Sequence, residues 1–356
     1  MLTAVFAIAT GLLVLATLAP TVRSGVWWIR GFDFPRLQLT VLSALVLVLH
    51  LALHPLDDAW TVAIVAVNAA CMLWQAWWIV PYTRLARPEV QSAPAGAQPR
   101  LRLMASNVLM HNRNADRLLS LVREHAPDVL IALETDTWWE GRLDTLQDTM
   151  PHVIRCPLDN LYGMHVYSRL PLLTPRIRYL VEDDIPSMHA TLDLEGRHIA
   201  LHALHPRPPS PTESDSSVER DAELVAVGRA ARASPVPVIV AGDLNDVAWS
   251  RTTRLFRKVS GLLDPRIGRG MFNTFHAHLP GLRWPLDHLF HSRHFTLVGM
   301  RRLPDIGSDH FPILVELALS PGENDPDAGL DADARAREDA EAALDEAEAD
   351  RAPVPR

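Results

Sequence analysis

At 356 residues the chain is too long for one typical domain, and its 48% apolar residues are unevenly spread along it. From Pro321 onward twelve acidic residues face four arginines, so the tail accounts for the whole formal charge of −8 and residues 1–320 are near neutral. A disulfide scaffold and a structural zinc cluster are excluded, because the two cysteines, Cys71 and Cys156, lie far apart with no CxxC neighbour.

Three apolar runs come first: Leu2–Pro20, Leu39–His54 and Ala59–Val80, giving spans of about 2–20, 38–54 and 59–80. Each approaches the ~20 residues that cross a ~30 Å hydrocarbon core. Trp27, Trp28, Trp74, Trp77, Trp78 and Tyr82 sit near their ends, where amphipathic rings favour the interface. Buried core helices are the alternative, but three such runs in succession leave too few polar faces for water. A signal peptide is the alternative for the first run alone, which lacks a basic n-region and a convincing cleavage site. The first connection carries Arg23, Arg30 and Arg36, the second carries Asp57 and Asp58, and Arg84 and Arg87 follow the third span. The excess of arginine on one side predicts a multi-pass protein of the cell inner membrane with its C-terminal part in the cytoplasm.

Residues 1–82 thus form a membrane anchor and 83–100, rich in Pro, Ala and Gly, a linker. Residues 101–319 have a globular pattern. Strands are expected over 101–108, 129–133, 188–194, 198–204, 236–241, 286–290 and 311–317, with helices near 116–125 and 218–233. Strands outnumber helices, which predicts an α/β fold with large mixed sheets. Residues 320–356 are acidic and Ala-rich, and are expected to be disordered or a solvated helix.

Polar groups fall at the ends of these strands. Asn107 closes the first, Glu134 follows DVLIAL, Asp243 and Asn245 lie in GDLN, Asp287 in PLDHLF, and Asp309 with His310 in GSDHFP. Carboxylates held at strand ends converge on one place, and hard cations such as Mg2+ take such oxygen ligands. Zinc would favour His and Cys, and no HExxH or paired-cysteine motif occurs. Each element alone has a plainer explanation: a solvated strand end, a turn or a helix cap. Their order together is the specific signal.

These blocks, with Ser106-Asn107-Val108, PDVLIALE, YSRLPL around Ser168-Arg169 and LHPRPP containing His205, resemble the endonuclease/exonuclease/phosphatase (deoxyribonuclease I-like) superfamily over residues 101–319. The three N-terminal spans and the wording HPxPP, PLDH and GSDH are most similar to its bacterial membrane-attached subgroup. The resemblance implies a four-layer α/β/β/α sandwich of two mixed sheets and a Mg2+-dependent phosphoesterase, with Mn2+ as a possible substitute. It implies Glu134 as the principal metal ligand, with Asn107 and Asp309 completing or supporting the shell. Asp243 would orient or deprotonate the attacking water, and Asn245 would hold the phosphate. His310, oriented by Asp287, would act as general base or as a cation on the phosphate. His205 would bind the phosphate and protonate the leaving group, and a histidine at this block leans away from abasic-site repair.

These residue types suit phosphoester hydrolysis, which needs an activated water, neutralised phosphate oxygens and a proton for the leaving alkoxide. His202, three residues before His205, faces the other side of a regular strand and is expected to be structural. Arg251, Arg254, Arg257 and Lys258 would share one helical face. That face could follow a nucleic-acid backbone, meet anionic headgroups or simply be solvated. The expected partners are a lipid bilayer and a phosphate-ester substrate, with nucleic acid admitted among the substrates. A nuclease within the same chemistry, and a catalytically silent membrane scaffold, are the alternatives.

Overall fold

The computed structural model describes residues 1–322, 324, 325 and 327–351. It divides into two compact units, Met1–Arg87 with Pro209–Ser217, and Pro88–Pro208 with Val218–Arg356.

The first unit contains α1 (Leu2–Leu18), a single turn α2 (Trp27–Arg30), α3 (Arg36–Leu53) and α4 (Ala59–Ile79). With flanking turns, Leu2–Thr21, Arg36–Leu53 and Ala59–Tyr82 are long and apolar enough to cross a membrane. Asp58 starts α4 by accepting hydrogen bonds from the Trp60 and Thr61 backbone N–H groups. Apolar side chains such as Ile8, Leu15, Val48 and Trp77 face outward, while Thr17, Arg36 and Gln75 are buried. That inverted distribution is what a hydrocarbon solvent selects, since polar groups must then find partners inside the bundle. Arg36 donates to Gln75 Oε1 at 3.1 Å and to Asp33 Oδ1 at 2.5 Å, and Gln75 donates to Thr17 Oγ1 at 3.1 Å. Arg30 also leans on Asp33, at 3.9 Å. Two of the five arginines that set the expected orientation, Arg30 and Arg36, are therefore paired with an acid. Residues 209–217 join this unit: Trp27 N–H donates to the Asp215 carbonyl at 3.1 Å and Ser217 N–H to Gly25 at 2.9 Å.

The second unit holds two mixed sheets. One has the order β10-β11-β1-β2-β4-β3 and the other β5-β6-β7-β8-β9. In chain order the strands are β1 (Arg100–Asn107), β2 (Val129–Leu133), β3 (His152–Cys156), β4 (Met164–Ser168), β5 (Leu172–Arg178), β6 (Ser187–Leu194), β7 (Arg197–Leu204), β8 (Val238–Asp243), β9 (Asp287–His291), β10 (Phe295–Arg302) and β11 (Ile313–Leu319). β1 runs parallel to β2 and β7 parallel to β8; the remaining ladders are antiparallel.

The inner faces interlock through residues such as Leu103, Ile131, Val315, Leu201, Ile239 and Leu289. Each such side chain contributes about 1.5–3 kcal/mol by leaving water. α5 (Ala115–His125) and α6 (Thr137–Leu143) cover the outer face of the first sheet, burying Leu118, Val122 and Trp139. α7 (Val218–Arg232) and α8 (Arg251–Ser260) cover the second, burying Leu224, Val227 and Phe256. The result is the expected four-layer sandwich.

Several expectations need correction. The tail is not disordered throughout: Ala334–Arg351 forms α9, which buries Ala336 and Ala340 against Val225 and Leu255. Small alanines at helical spacing let an otherwise acidic helix approach closely, a signal that composition hides. The linker ends early, for Val90 is fully buried in the main core and Glu89 pairs with Arg257. The basic face of α8 is neither free nor solvated as a whole. Arg251 pairs with Asp339 at 3.1 Å, Lys258 with Asp333 at 2.7 Å, and Arg257 is buried. The acidic tail thus occupies Arg251 and Lys258, two of the four cations that a nucleic acid or headgroup would need. The last strand starts at Ile313, just after Pro312.

Candidate active site

The site forms where strand ends from both sheets meet. Asn107 ends β1, and Glu134 follows β2 in the left-handed region, at φ 60°. Such a conformation is costly for a non-glycine residue and persists where the surroundings enforce it. β7 and β8 deliver His205 and Asp243. Gly242 lies in register with Leu204, and a Cβ there would stand 2.0 Å from the Leu204 carbonyl oxygen. Glycine therefore lets these two strand ends approach. Asp287 opens β9, and Asp309 and His310 precede β11.

Asn107 Nδ2 donates to Glu134 Oε1 at 2.7 Å and to Asp243 Oδ2 at 3.2 Å, while its Oδ1 accepts from Leu109 N–H at 3.0 Å. Through its amide hydrogens Asn107 supports the carboxylates, and its oxygen, which accepts one backbone hydrogen bond, keeps a second lone pair. His310 Nδ1 lies 2.7 Å from Asp287 Oδ2, and its Nε2 lies 3.5 Å from Asp243 Oδ2. His205 Nε2 lies 4.0 Å from the same oxygen, Asp243 Oδ2. Asn245, at φ 52°, donates from its backbone to Asp243 Oδ1 at 2.9 Å and from its amide to the Pro206 carbonyl at 2.9 Å. That second bond ties GDLN to LHPRPP and leaves one amide hydrogen for a ligand.

Burial sets the charges. It pushes the Glu134 carboxyl up to about 7, and the neighbouring Asp309 and Asp243 carboxylates add to the shift. Burial alone would lower His310, but Asp287 and Asp243 outweigh it and raise the imidazole to about 10. His205, equally buried, is lowered to about 4 despite Asp243. One histidine is therefore a cation at neutral pH and the other is neutral.

Asp243, Asp287 and His310 each bring a ligand atom within 4.8 Å of the others. Protonated His310 has no lone pair to give, because both nitrogens face carboxylates. The oxygen-rich side formed by Glu134, Asp243 and Asp309 fits a hard divalent cation better, since such an ion relieves the repulsion that raises Glu134. All eight residues expected from the sequence thus lie at this end of the sandwich. His202 lies apart, on the outer face of the second sheet.

A model of the Endonuclease/Exonuclease/phosphatase family matches residues 104–310. The chain belongs to this family. Family members are hydrolases of phosphoester bonds that depend on a divalent metal, and the carboxylate cluster of this member accords with that chemistry. Solved structures of the same fold include Danio rerio TDP2 complexed with a single-strand DNA product, at 19% identity and TM-score 0.52, covering 62% of this chain and 99% of that one. An endonuclease/exonuclease/phosphatase from Beutenbergia cavernae has 19% identity and TM-score 0.51, covering 63% and 72%. The human Nocturnin catalytic domain with bound sulfate has 15% identity and TM-score 0.50, covering 63% and 96%. No curated protein matches the chain.

Several supporting residues escaped the sequence reasoning. Ser308 Oγ donates to the Asn107 carbonyl at 2.9 Å and accepts from His310 N–H at 3.0 Å, tying the end of β1 to the loop before β11. Arg220 of α7, 1% exposed, donates to the Asn245 carbonyl at 2.8 Å and pairs with Asp246 at 3.3 Å. Arg266 donates to His288 Nδ1 at 2.6 Å, so His288 Nε2–H donates to the Asp246 carbonyl at 2.8 Å. The loop bearing Asp243 and Asn245 is thus clamped from behind by two positioning residues. Phe275 lies against His310 and Tyr162 against His205, with ring centroids 4.9 and 5.2 Å apart. Ser308 stands inside a recognised block and Asp246 directly follows one, so both could have been found. Arg220, Phe275 and Tyr162 carry no local signal.

Proposed function

We propose that the chain is a membrane-anchored phosphoesterase that hydrolyses a phosphodiester or phosphomonoester with Mg2+, for which Mn2+ substitutes. Its anchor is the three-helix unit, in the cell inner membrane, with the second unit on the cytoplasmic side. The observation that carries the chemical reading is the convergence of Glu134, Asp243 and Asp309 beside an imidazolium held by Asp287.

In this reading Glu134, with Asp243 or Asp309, holds the ion, and Asn107 keeps the Glu134 carboxylate in place. When bound, the ion withdraws charge from the phosphate oxygens and lowers the barrier to attack by water. Asp243 orients that water and accepts its proton. His310 donates an N–H to a phosphate oxygen and balances the charge that develops there. Of its two expected roles, the raised pKa favours the cation over the general base. The neutral His205 and the Asn245 amide bind the remaining oxygens, and the lowered pKa of His205 leaves the His310 cation as the better source of a proton for the leaving alkoxide.

A nuclease is the second reading, with the same residues in the same roles; Danio rerio TDP2, solved with a single-strand DNA product, gives it its motive. The test is a panel of bis-p-nitrophenyl phosphate, phospholipids, phosphosugars, DNA and RNA, presented to the full chain in detergent with Mg2+ or Mn2+. Turnover of at least one class, lost in His310→Ala, supports the enzyme. No metal-dependent turnover on any class would leave the silent scaffold as the better account.

A further inference from the structure

The outer face of the second sheet carries a feature that phosphoester chemistry does not use. Helices α7 and α8 cover β8 and β9, but β5 and β6 extend beyond them. Between α7 and the exposed strands lies a groove of about 340 Å3. Its floor is a row across three strands: Arg176 of β5 stands opposite His189 of β6, which stands opposite His202 of β7. Arg178, two residues along β5, faces the same way. Ala226 and Ala230 of α7 form the wall.

The hydrogen bonds fix the protonation of the row. The Ser187 hydroxyl donates to the Arg178 carbonyl at 3.1 Å, so at 2.9 Å it accepts from His189 Nε2–H. His189 Nδ1 is then a lone pair, and His202 Nδ1–H donates to it across 2.6 Å. Burial keeps both imidazoles neutral, His189 lowered to about 3 and His202 to about 4. The positive charge of the groove therefore comes from Arg176 and Arg178. No carboxylate lines the groove, and neither arginine has an ion-pair partner among the described residues. Arg155 and Arg207, by contrast, are held by Asp144 and by Glu182 with Asp184.

We propose that this groove is a binding site for a small phosphate-bearing molecule, held by Arg176 and Arg178 and distinct from the catalytic end. Guanidinium forks suit the paired oxygens of a phosphate. The volume lies at the lower end of the ~300–1,000 Å3 typical of small-molecule sites. A slot with a helical wall suits a compact soluble ligand better than a bilayer face does. The two uncompensated arginines oppose a metal ion on the imidazole pair, although paired imidazoles would otherwise suit one. His202 and His205 lie on opposite faces of one strand end, so the ligand would occupy the reverse side of the sheet that positions His205.

The test is calorimetric titration of the full chain in detergent with inorganic phosphate, in EDTA so that no metal-dependent site contributes. Binding should weaken at least tenfold in the double variant Arg176→Gln/Arg178→Gln and stay unchanged in Arg123→Gln, a change of an exposed arginine on α5 of the other sheet. If the double variant does not fold, Ala230→Glu, which puts a carboxylate on the exposed wall, should weaken binding instead. Wild-type affinity in these groove variants, or loss of binding in Arg123→Gln, overturns the proposal. So does binding of Zn2+ with no binding of phosphate, or binding to phosphatidylserine vesicles alone.

Discussion

The catalytic end, where strand ends of both sheets meet, and the groove on the outer face of the second sheet handle the same residue type in opposite ways. At the catalytic end His310 is buried among carboxylates and becomes a cation, with its pKa raised to about 10. In the groove His189 and His202 are also largely buried, and burial keeps them neutral, helped at His189 by His202 and Arg178. Burial disfavours charge in all three, and only at His310 do two carboxylates, Asp287 and Asp243, outweigh it. A histidine in the sequence is therefore not a prediction of chemistry until its charged neighbours are known.

The comparison can be broken first at its acidic side. Asp287→Asn should cut turnover by about 10²-fold or more. It should also remove the charge that holds His310 protonated, so the variant's turnover falls as pH rises through the neutral range, where the native protein stays level. A pH–rate profile that falls on the acid side instead would make His310 a base.

A stability change of about 3–5 kcal/mol is expected from Arg220→Met, which leaves the buried Asp246 carboxylate without its cation. Chemical denaturation measures it. Because Arg220 also holds the Asn245 carbonyl, turnover by the folded fraction should fall too; a variant that lost stability and kept full turnover would remove Arg220 from the positioning account.

Glu223 sharpens the burial side of the argument, because it has no compensating cation. It is fully buried, its Oε1 has no hydrogen-bond partner, and burial followed by the repulsion of Glu182 raises it to about 8. A raised folded-state pKa gives stability that is fully present below the unfolded value, near ~4.5, and lost as pH rises towards 8. Denaturation across pH 5–8 should show that decline, on the order of a few kcal/mol. In Glu223→Gln the decline should be much shallower; an unchanged slope would assign it elsewhere.

The smallest effect is expected at His202. Its side chain faces away from the catalytic end, so His202→Ala should leave turnover within about twofold, whereas His205→Ala should lower it by roughly 10²-fold. Equal losses would show that alternation along β7 does not separate the two roles.

The fold was legible where the pattern was clean. Val129–Leu133, five buried apolar residues, matched its expected bounds. β4 was missed because its five buried residues, MHVYS, include His165, whose polarity is absorbed by Thr135 Oγ1 at 2.7 Å. β5 was missed because its residues from Leu173 to Arg178 are exposed, as suits an edge strand. At the site, the residues inside ordered blocks were found except Ser308, and those that act from distant elements were not. Arg220 reaches Asn245 from a helix 25 residues earlier, and no spacing rule records such a contact. The pairing of the basic face of α8 with Asp333 and Asp339 was hidden for the same reason.

The central claim, a metal-dependent phosphoesterase site built around Glu134, is tested most directly by metal titration of turnover. The full chain in detergent, stripped with EDTA, is given increasing Mg2+ and assayed on the substrate class that the panel identifies. Native turnover should rise from background to saturation, and Glu134→Ala should stay about 10³-fold lower at every Mg2+ concentration. Turnover that persists in EDTA, or that survives Glu134→Ala unchanged, would contradict the account.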